Sequence, residues 1–159
     1  GVAYLVYFPY AASLLVVSVI DLDHRIIPDQ ISLSGIVIGL LLAAFTPVMP
    51  FLDSLAGFAL GGGSLLVVGM AYEAVRKQEG IGGGDIKLLA MIGAFTGPWG
   101  VLATLPIAAI LGLGYALIRH RGRPDRQARL PFGPFLSAAA AVVLLWGDRL
   151  WRWYVSLLG

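Results

Sequence analysis

The chain has 159 residues, of which 58% are hydrophobic and only 13% are charged, and its mean hydropathy is +0.86. A soluble domain carries about 25% charged residues, so the composition excludes an ordinary soluble fold and predicts one integral membrane domain. The net charge of +2 is too small to indicate a nucleic-acid partner. With no cysteine and no HExxH pattern, the chain offers neither disulfides nor a recognisable zinc site.

Six apolar segments follow one another along the chain, and crossing the hydrocarbon layer takes about 20 helical residues. The segments are Tyr4–Ile20, Ile31–Met49, Leu55–Val75, Ile86–Phe95, Val101–Ile118 and Phe132–Trp146. The chain begins without a Met or a positive n-region, so we expect no signal peptide. The aromatic tail WGDRLWRWYVSLLG is typical of an anchor at the membrane interface, or it is the frayed end of the sixth helix. The sequence predicts an all-α bundle of about six transmembrane helices.

Positive charges are concentrated on one predicted side of the membrane. Nine of the eleven Lys and Arg residues lie in or next to the loops after segments one, three and five, and the loops after segments two and four contain none. Because cytoplasmic loops carry an excess of Lys and Arg, this side should face the cytoplasm. Arg149 and Arg152 are the exceptions; either they lie outside, or the tail folds back along the surface.

Two aspartates are predicted to reach this cytoplasmic face. Asp21 ends the first segment in DLDHRIIPD, and Asp85 begins the fourth in GGGDIKLL. Asp85 precedes the predicted outer turn TGPWG by about 12 residues, or roughly 18 Å of helix. The hydrocarbon layer is about 30 Å thick, so we expect Asp85 below the membrane surface. Irregular backbone at that depth must be buried in protein or line a wet cavity, and Gly82, Gly83 and Gly84 would supply it.

Each of these carboxylates also has a structural interpretation. Asp85 would cap the fourth helix, and Asp21 would pair with Arg25. Asp29, in PDQIS, is expected to cap the second helix. The placement of Asp21 and Asp85 on one face, with a glycine-rich turn beside one of them, favours catalysis.

A pair of adjacent carboxylates suits peptide hydrolysis. Both members cannot ionise easily, so the pair holds a single proton. The ionised member takes a proton from water, while the protonated member polarises the peptide carbonyl and later protonates the leaving nitrogen. This chemistry needs no metal or other cofactor. Lys87 would point about 200° away from Asp85 around the helix, where it binds substrate or lipid phosphate, or extends to the interface.

The segment GGGDIKLLAMIGAFTG resembles the GxGD region of the type IV prepilin peptidases, membrane aspartic proteases related to the preflagellin peptidases. DLDHRIIPD is similar to their first catalytic motif, and PFGPFLS (131–137) is similar to their late Pro-Phe-Gly segment. The resemblance covers nearly the whole chain and reads GGGD as GxGD from Gly82. It implies that Asp21 and Asp85 are the catalytic pair. Asp23 would face away from the site if the first helix continues.

The resemblance also implies the substrates, which are type IV prepilins and type II secretion pseudopilins. These carry a basic leader, a Gly and a hydrophobic helix, and the family cuts after that Gly at the cytoplasmic face of the inner membrane. Gly82, Gly83, Gly84 and Lys87 are the expected substrate-binding residues, and membrane lipid surrounds the bundle. The cysteine-rich, methylation-linked region of many bacterial members has no counterpart here. We therefore expect residues 1–159 to form a single peptidase domain and predict no methyltransferase activity. The oligomeric state stays open.

Two other classes of protein fit parts of the pattern. A metal-dependent lipid phosphotransferase would gather Asp21, Asp23, Asp29 and Asp85 around magnesium, although these acids form no dense DxxD cluster. A non-catalytic transporter subunit or scaffold would use GFALGGGSLLVVGM for close helix packing, the expected role of Gly61–Gly63. Metal dependence, and the effect of replacing Asp21, discriminate between the classes.

Overall fold

Five α-helices account for most of the residues that the computed structural model describes, which are 2–24, 27–47, 49–77, 83–120 and 133–159. The helices are α1 Val2–His24, α2 Asp29–Phe45, α3 Phe51–Arg76, α4 Gly83–His120 and α5 Gly133–Leu158. These parts of the chain contain no strand. Because α4 is broken at Gly97, it consists of a first arm (83–96) and a second arm (98–120). The predicted all-α bundle of about six helical segments is confirmed, with segments four and five forming the two arms.

The break inside α4 depends on a glycine. Gly97 has φ 77° and ψ −177°, in a region that residues with a Cβ rarely adopt. Pro98 follows it, and proline suits the first turn of a helix because its fixed φ is helical and its missing N–H would be unpaired there anyway. A Cβ at Gly93 would lie 2.9 Å from Cγ2 of Val101, so the two arms pack against each other on either side of the break. The turn predicted from TGPWG is therefore a helical hairpin.

The first arm of α4 forms the centre of the bundle. Residues 88–95 are all buried, and Leu88, Leu89, Met91 and Ile92 have no exposed surface. The helices α2, α3 and α5 all pack against α4. This central position means that any displacement of the first arm also moves Asp85, which lies near its beginning.

Glycines allow α3 to approach the first arm backbone to backbone. A Cβ at Gly57 would lie 2.7 Å from Cα of Gly97 and closer still to the carbonyl oxygen of Gly93, and one at Gly61 would lie 2.9 Å from the carbonyl carbon of Leu89. Because the later residue of α3, Gly61, faces the earlier residue of α4, Leu89, the two segments are antiparallel. The predicted packing role is confirmed for Gly61. It is wrong for Gly63, where no atom of the described residues lies within 4 Å of the Cβ position.

Three of the helices are long and apolar enough to cross a membrane, and these are Tyr4–His24, Phe51–Val75 and Gly83–Ile118. The shorter Asp29–Phe45 is also apolar. Large apolar side chains such as Leu66 and Val67 are exposed on the outside of the bundle, where only a lipid environment would cover them without cost. The protein is a membrane protein.

The aromatic tail continues α5 rather than folding back. The helix runs without interruption to Leu158, so it extends well beyond the predicted end at Trp146. The ring centroid of Trp151 lies 4.3 Å from that of Trp99, and Tyr154 lies 6.4 Å from Trp99. The tail therefore packs beside the Gly97 hairpin, which we call the hairpin end of the bundle. The alternative in which the tail folds back along the surface is wrong.

Candidate active site

Asp21 and Asp85 lie at the same level of the bundle, at the end opposite the hairpin. The rings of Tyr10 and Phe95 stack with centroids 4.5 Å apart, which sets the register of α1 against the first arm. Asp21 lies 11 residues after Tyr10, and Asp85 lies 10 residues before Phe95. At 1.5 Å per helical residue, the two steps are roughly 16 Å and 15 Å in the same direction. The fold thus brings together two acids that are far apart in the sequence.

Asp21 is a buried carboxylate in the last turn of α1. It follows Tyr10, Leu14 and Val17 at spacings of four, three and four residues, which is the buried stripe of this helix. Only 5% of its surface is exposed, and the backbone N–H of Gly133 donates a hydrogen bond to its carboxylate. Its Oδ2 atom, however, has no partner among the described residues. Burying a carboxylate with an unpaired oxygen is unfavourable, so this position indicates a functional requirement rather than a structural one.

Asp85 is the third residue of α4, so it does not occupy the N-cap position. It is partly buried in the first helical turn, where the unpaired N–H groups and the helix dipole favour a carboxylate. Gly84, which precedes Asp85, and Gly133, which contacts Asp21, both face Ile27. The two carboxylates therefore lie near each other and would repel if both were ionised. A shared proton would relieve that repulsion.

Ile27 connects the surroundings of the two acids. Its Cβ lies 3.1 Å from the position that a Cβ on Gly84 would take, and its Cδ1 lies 3.1 Å from the corresponding position on Gly133. Gly84 precedes Asp85 in the chain, and Gly133 binds Asp21. The buried side chain of Ile27 therefore forms an apolar wall that both acids share.

Gly133 is the closest neighbour of Asp21 on α5. A Cβ at this position would lie 3.0 Å from Cγ of Asp21 and closer than that to Oδ2. The absence of a side chain lets α5 approach until its backbone can donate to the carboxylate. Gly133 belongs to the segment PFGPFLS, but the sequence predicts no role for it. Its contact with Asp21 joins residues more than a hundred positions apart, so no local signal predicts it.

The other predicted acids lie outside this site. Asp23 is exposed, as expected for a residue two positions after Asp21 in a continuing helix. The predicted N-cap role of Asp29 is wrong, because Pro28 occupies the N-cap position of α2. Asp29 instead forms an ion pair with Lys87, with Oδ2 3.0 Å from Nζ. This pair connects α2 to the first arm beside the acids, and as an exposed pair it contributes about 0–1 kcal/mol.

The predicted glycine-rich turn is partly helical. Gly83 and Gly84 are the first residues of α4, so the expectation of irregular backbone is wrong for both. A helix start tolerates glycine because its first N–H groups have no intrahelical partner. In the described part of the chain no atom lies within 4 Å of the Cβ position of Gly83, which is exposed, whereas Gly84 packs on Ile27. Gly82 and Arg25 lie outside the described residues.

The acids do not gather in a larger cluster in the part of the chain that the structure describes. No group of three or more His, Cys, Asp or Glu side chains in these segments is placed to hold a metal ion. Of the four acids considered for a magnesium site, Asp29 pairs with Lys87 and Asp23 faces outward. The site consists of two carboxylates, with glycine backbone and one isoleucine around them.

Similarity to known proteins identifies the family of this chain. Residues 8–117 match the profile of the type IV leader peptidase family. The chain belongs to that family. It is 40% identical over 158 residues to a prepilin leader peptidase/N-methyltransferase of Pseudomonas putida, covering 98% of this chain and 54% of the relative. Proteins of the same name from Xanthomonas campestris and Pseudomonas aeruginosa are each 38% identical, covering 92% of this chain and 51% of each relative.

The chain spans about half the length of these curated relatives. No matching solved structure was found for the chain. Membership of a protease family confirms the resemblance inferred from the GxGD, DLDHRIIPD and PFGPFLS segments.

Proposed function

We propose that this protein is an aspartic endopeptidase that removes the basic leader peptide of type IV prepilins or type II secretion pseudopilins. It cuts after a Gly at the cytoplasmic face of the inner membrane. The observation that carries the proposal is the meeting of Asp21 and Asp85 at one level and one end of a membrane bundle. The curated relatives are named prepilin leader peptidases, which supports the substrate class.

The two aspartates perform hydrolysis as a pair that shares one proton. The ionised carboxylate removes a proton from water, and the water oxygen attacks the carbonyl carbon of the scissile bond. The protonated carboxyl donates to the carbonyl oxygen, which gives a neutral tetrahedral diol. When the diol collapses, the carboxyl that took the proton from water gives it to the leaving nitrogen, and the C–N bond breaks. The other carboxylate takes the proton of a diol hydroxyl, so the pair again holds one proton. Asp21 and Asp85 fill these two roles without a covalent intermediate.

The substrate approaches the pair across the start of α4. Among the described residues no atom lies within 4 Å of the Cβ position of Gly83, so a path for an extended peptide runs next to the first helical turn, beside Gly84. Gly82 precedes this turn in the sequence and is proposed to bind the substrate as well. Lys87 lies at the edge of this path, where its pairing with Asp29 steadies the rim and leaves its ammonium group half-exposed to the incoming leader. The apolar helix of the substrate remains in the membrane.

Residues 1–159 act in this proposal as one peptidase domain. The packing of α2, α3 and α5 against α4 supports this proposal. The positive residues Lys77 and Lys87 belong to the same end of the bundle as the acids, in agreement with a cytoplasmic orientation. No methyl transfer is proposed for these residues.

The test is cleavage of a purified prepilin-like substrate by the protein in liposomes, with and without EDTA. We expect cleavage after the Gly, identified by mass spectrometry of the released leader, at the same rate in both conditions. A full-length relative in a parallel reaction shows that the substrate is competent. If the relative cleaves and this protein does not, the proposal is wrong. If EDTA abolishes cleavage, the metal-free mechanism is wrong.

Replacing Gly133 by alanine is expected to lower kcat at least tenfold. The added methyl group would stand against the Asp21 carboxylate, so the carboxylate would have to rotate away from Asp85 or α5 would have to move. Loss of a tenfold rate corresponds to about 1.4 kcal/mol of transition-state stabilisation.

The matched control for this substitution is Gly114→Ala. Gly114 is also helical, but no atom lies within 4 Å of its Cβ position. We expect its kcat to equal that of the unmodified protein. Equal activity of the two alanine variants would contradict the role assigned to Gly133.

A further inference from the structure

Two buried oxygen atoms near the site have no hydrogen-bond partner among the described residues. One is Oδ2 of Asp21, and the other is Oγ of Ser137, a residue that is only 3% exposed. The great majority of buried polar atoms in folded proteins have a partner. Two unpaired atoms in neighbouring helices therefore call for a common explanation.

The helix geometry directs these two side chains toward each other. Ser137 lies four residues after Gly133 on the same face of α5, and Gly133 contacts Asp21. The rise between them is roughly 6 Å. Because Asp21 lies beside the start of α5 and Trp151 lies beside the far end of the bundle, α1 and α5 are antiparallel.

Side chains in a helix lean toward its N-terminus. In α1 the side chain of Asp21 leans toward the hairpin end, and in α5 the side chain of Ser137 leans back toward Gly133. The two side chains point in opposite directions along the bundle, so they reduce the 6 Å offset between Asp21 and Ser137. The separation that remains between the Ser137 hydroxyl and the Asp21 carboxylate can be bridged by a hydrogen bond after side-chain rotation.

We propose that Ser137 is a positioning residue whose hydroxyl donates a hydrogen bond to Oδ2 of Asp21 and holds that carboxylate toward Asp85. The proposal rests on the peptidase function inferred above. The backbone N–H of Gly133 and the hydroxyl of Ser137 then hold the Asp21 carboxylate together. A hydrogen bond to an ionised oxygen is among the stronger ones, so it restricts the carboxylate to the orientation in which it shares a proton with Asp85.

The first part of the test is kinetic. Ser137→Ala is expected to lower kcat about tenfold, or roughly 1.4 kcal/mol, with KM unchanged, because the buried hydroxyl orients Asp21 without touching substrate. Ser137→Cys keeps the shape but donates weakly, so its kcat should fall between those of Ser and Ala. Unchanged kcat in Ser137→Ala, or equal loss in the Ala and Cys variants, would overturn the proposal.

The matched control is Ser54→Ala. Ser54 is also fully buried, but its hydroxyl donates to the carbonyl oxygen of Ala94, 2.6 Å away, near the hairpin end. Its loss should lower Tm while kcat stays unchanged. This control separates the loss of a buried hydroxyl in general from the loss of one beside Asp21.

The second part of the test does not depend on catalysis. The change in Tm caused by Ser137→Ala is measured in the unmodified protein and in the Asp21→Ala variant. Because the hydrogen bond is already lost in the Asp21→Ala variant, the two changes in Tm should differ by about 2 °C. Ser54→Ala should lower Tm equally in both backgrounds. Additive effects at Ser137 would overturn the proposed hydrogen bond. If the unmodified protein does not cleave a competent substrate, the peptidase proposal fails, and this thermal cycle still decides whether Ser137 and Asp21 interact.

Discussion

Replacing either Asp21 or Asp85 by asparagine is expected to lower leader-peptide cleavage by at least about 10³-fold while the protein stays folded. An asparagine side chain has nearly the same shape as aspartate, but it neither takes a proton from water nor gives one to the leaving nitrogen. Proton transfer by a positioned side chain contributes about 10²–10⁴-fold to a rate. Since the two residues work as a unit, the double variant should be no worse than either single variant.

The chain offers a closely matched control in Asp23→Asn. This acid lies in the same DLD segment and carries the same charge, but its side chain is exposed on the other side of α1. Its replacement should leave kcat unchanged. Thermal unfolding should show that all three variants are folded. Asp21→Asn is expected to be no less stable than the unmodified protein, because it removes a charge from a buried position that is only partly satisfied. More than a tenth of the original activity in either dyad variant would contradict the assignment.

The second large effect is expected where α3 crosses the first arm of α4. A methyl group at Gly93 would collide with the backbone carbonyl of Gly57 and stand 2.9 Å from Cγ2 of Val101. A backbone atom cannot rotate away as a side chain does, so α3 and the arm must separate. Overpacking of this kind costs up to about 3 kcal/mol, which is a fall in Tm of roughly 6–12 °C for a protein of this size. We therefore expect Gly93→Ala to be the least stable variant, and less active too, because Asp85 is on the displaced arm.

Gly63→Ala is the control for this crossing. Gly63 lies on α3 as Gly57 does, but no atom lies within 4 Å of its Cβ position. Alanine is the better helix former by about 0.5–1 kcal/mol, so this variant should keep or slightly raise Tm. A similar loss of stability in the two variants, measured in the same detergent, would show that the crossing does not depend on backbone contact between glycines.

The two residues of the proposed dyad can be recognised from the sequence alone. Asp21 and Asp85 stand out because each is a carboxylate at the edge of a long apolar run, which is costly in a membrane unless it has a use. Counting helical crossings predicts that they meet at one face, and the register set by Tyr10 and Phe95 places them at one level. Gly133 and Ser137 lie in the segment PFGPFLS and Ile27 lies in DLDHRIIPD, but no local pattern assigns a role to any of the three until its neighbours are known.

The sequence by itself determined the membrane environment, the all-helical architecture and the break at TGPWG, and it singled out the two acids that we propose as the dyad. These follow from composition, from the length of apolar runs and from the local properties of glycine and proline, all of which act over a few residues. Only the tertiary structure decided that Asp29 pairs with Lys87 instead of capping α2, that Gly83 and Gly84 are helical, and that the aromatic tail packs on Trp99. The Asp29–Lys87 pair, the packing of Gly84 on Ile27 and the contact with Trp99 all join residues distant in the chain. Such contacts come from the packing of helices against one another, which no local pattern encodes.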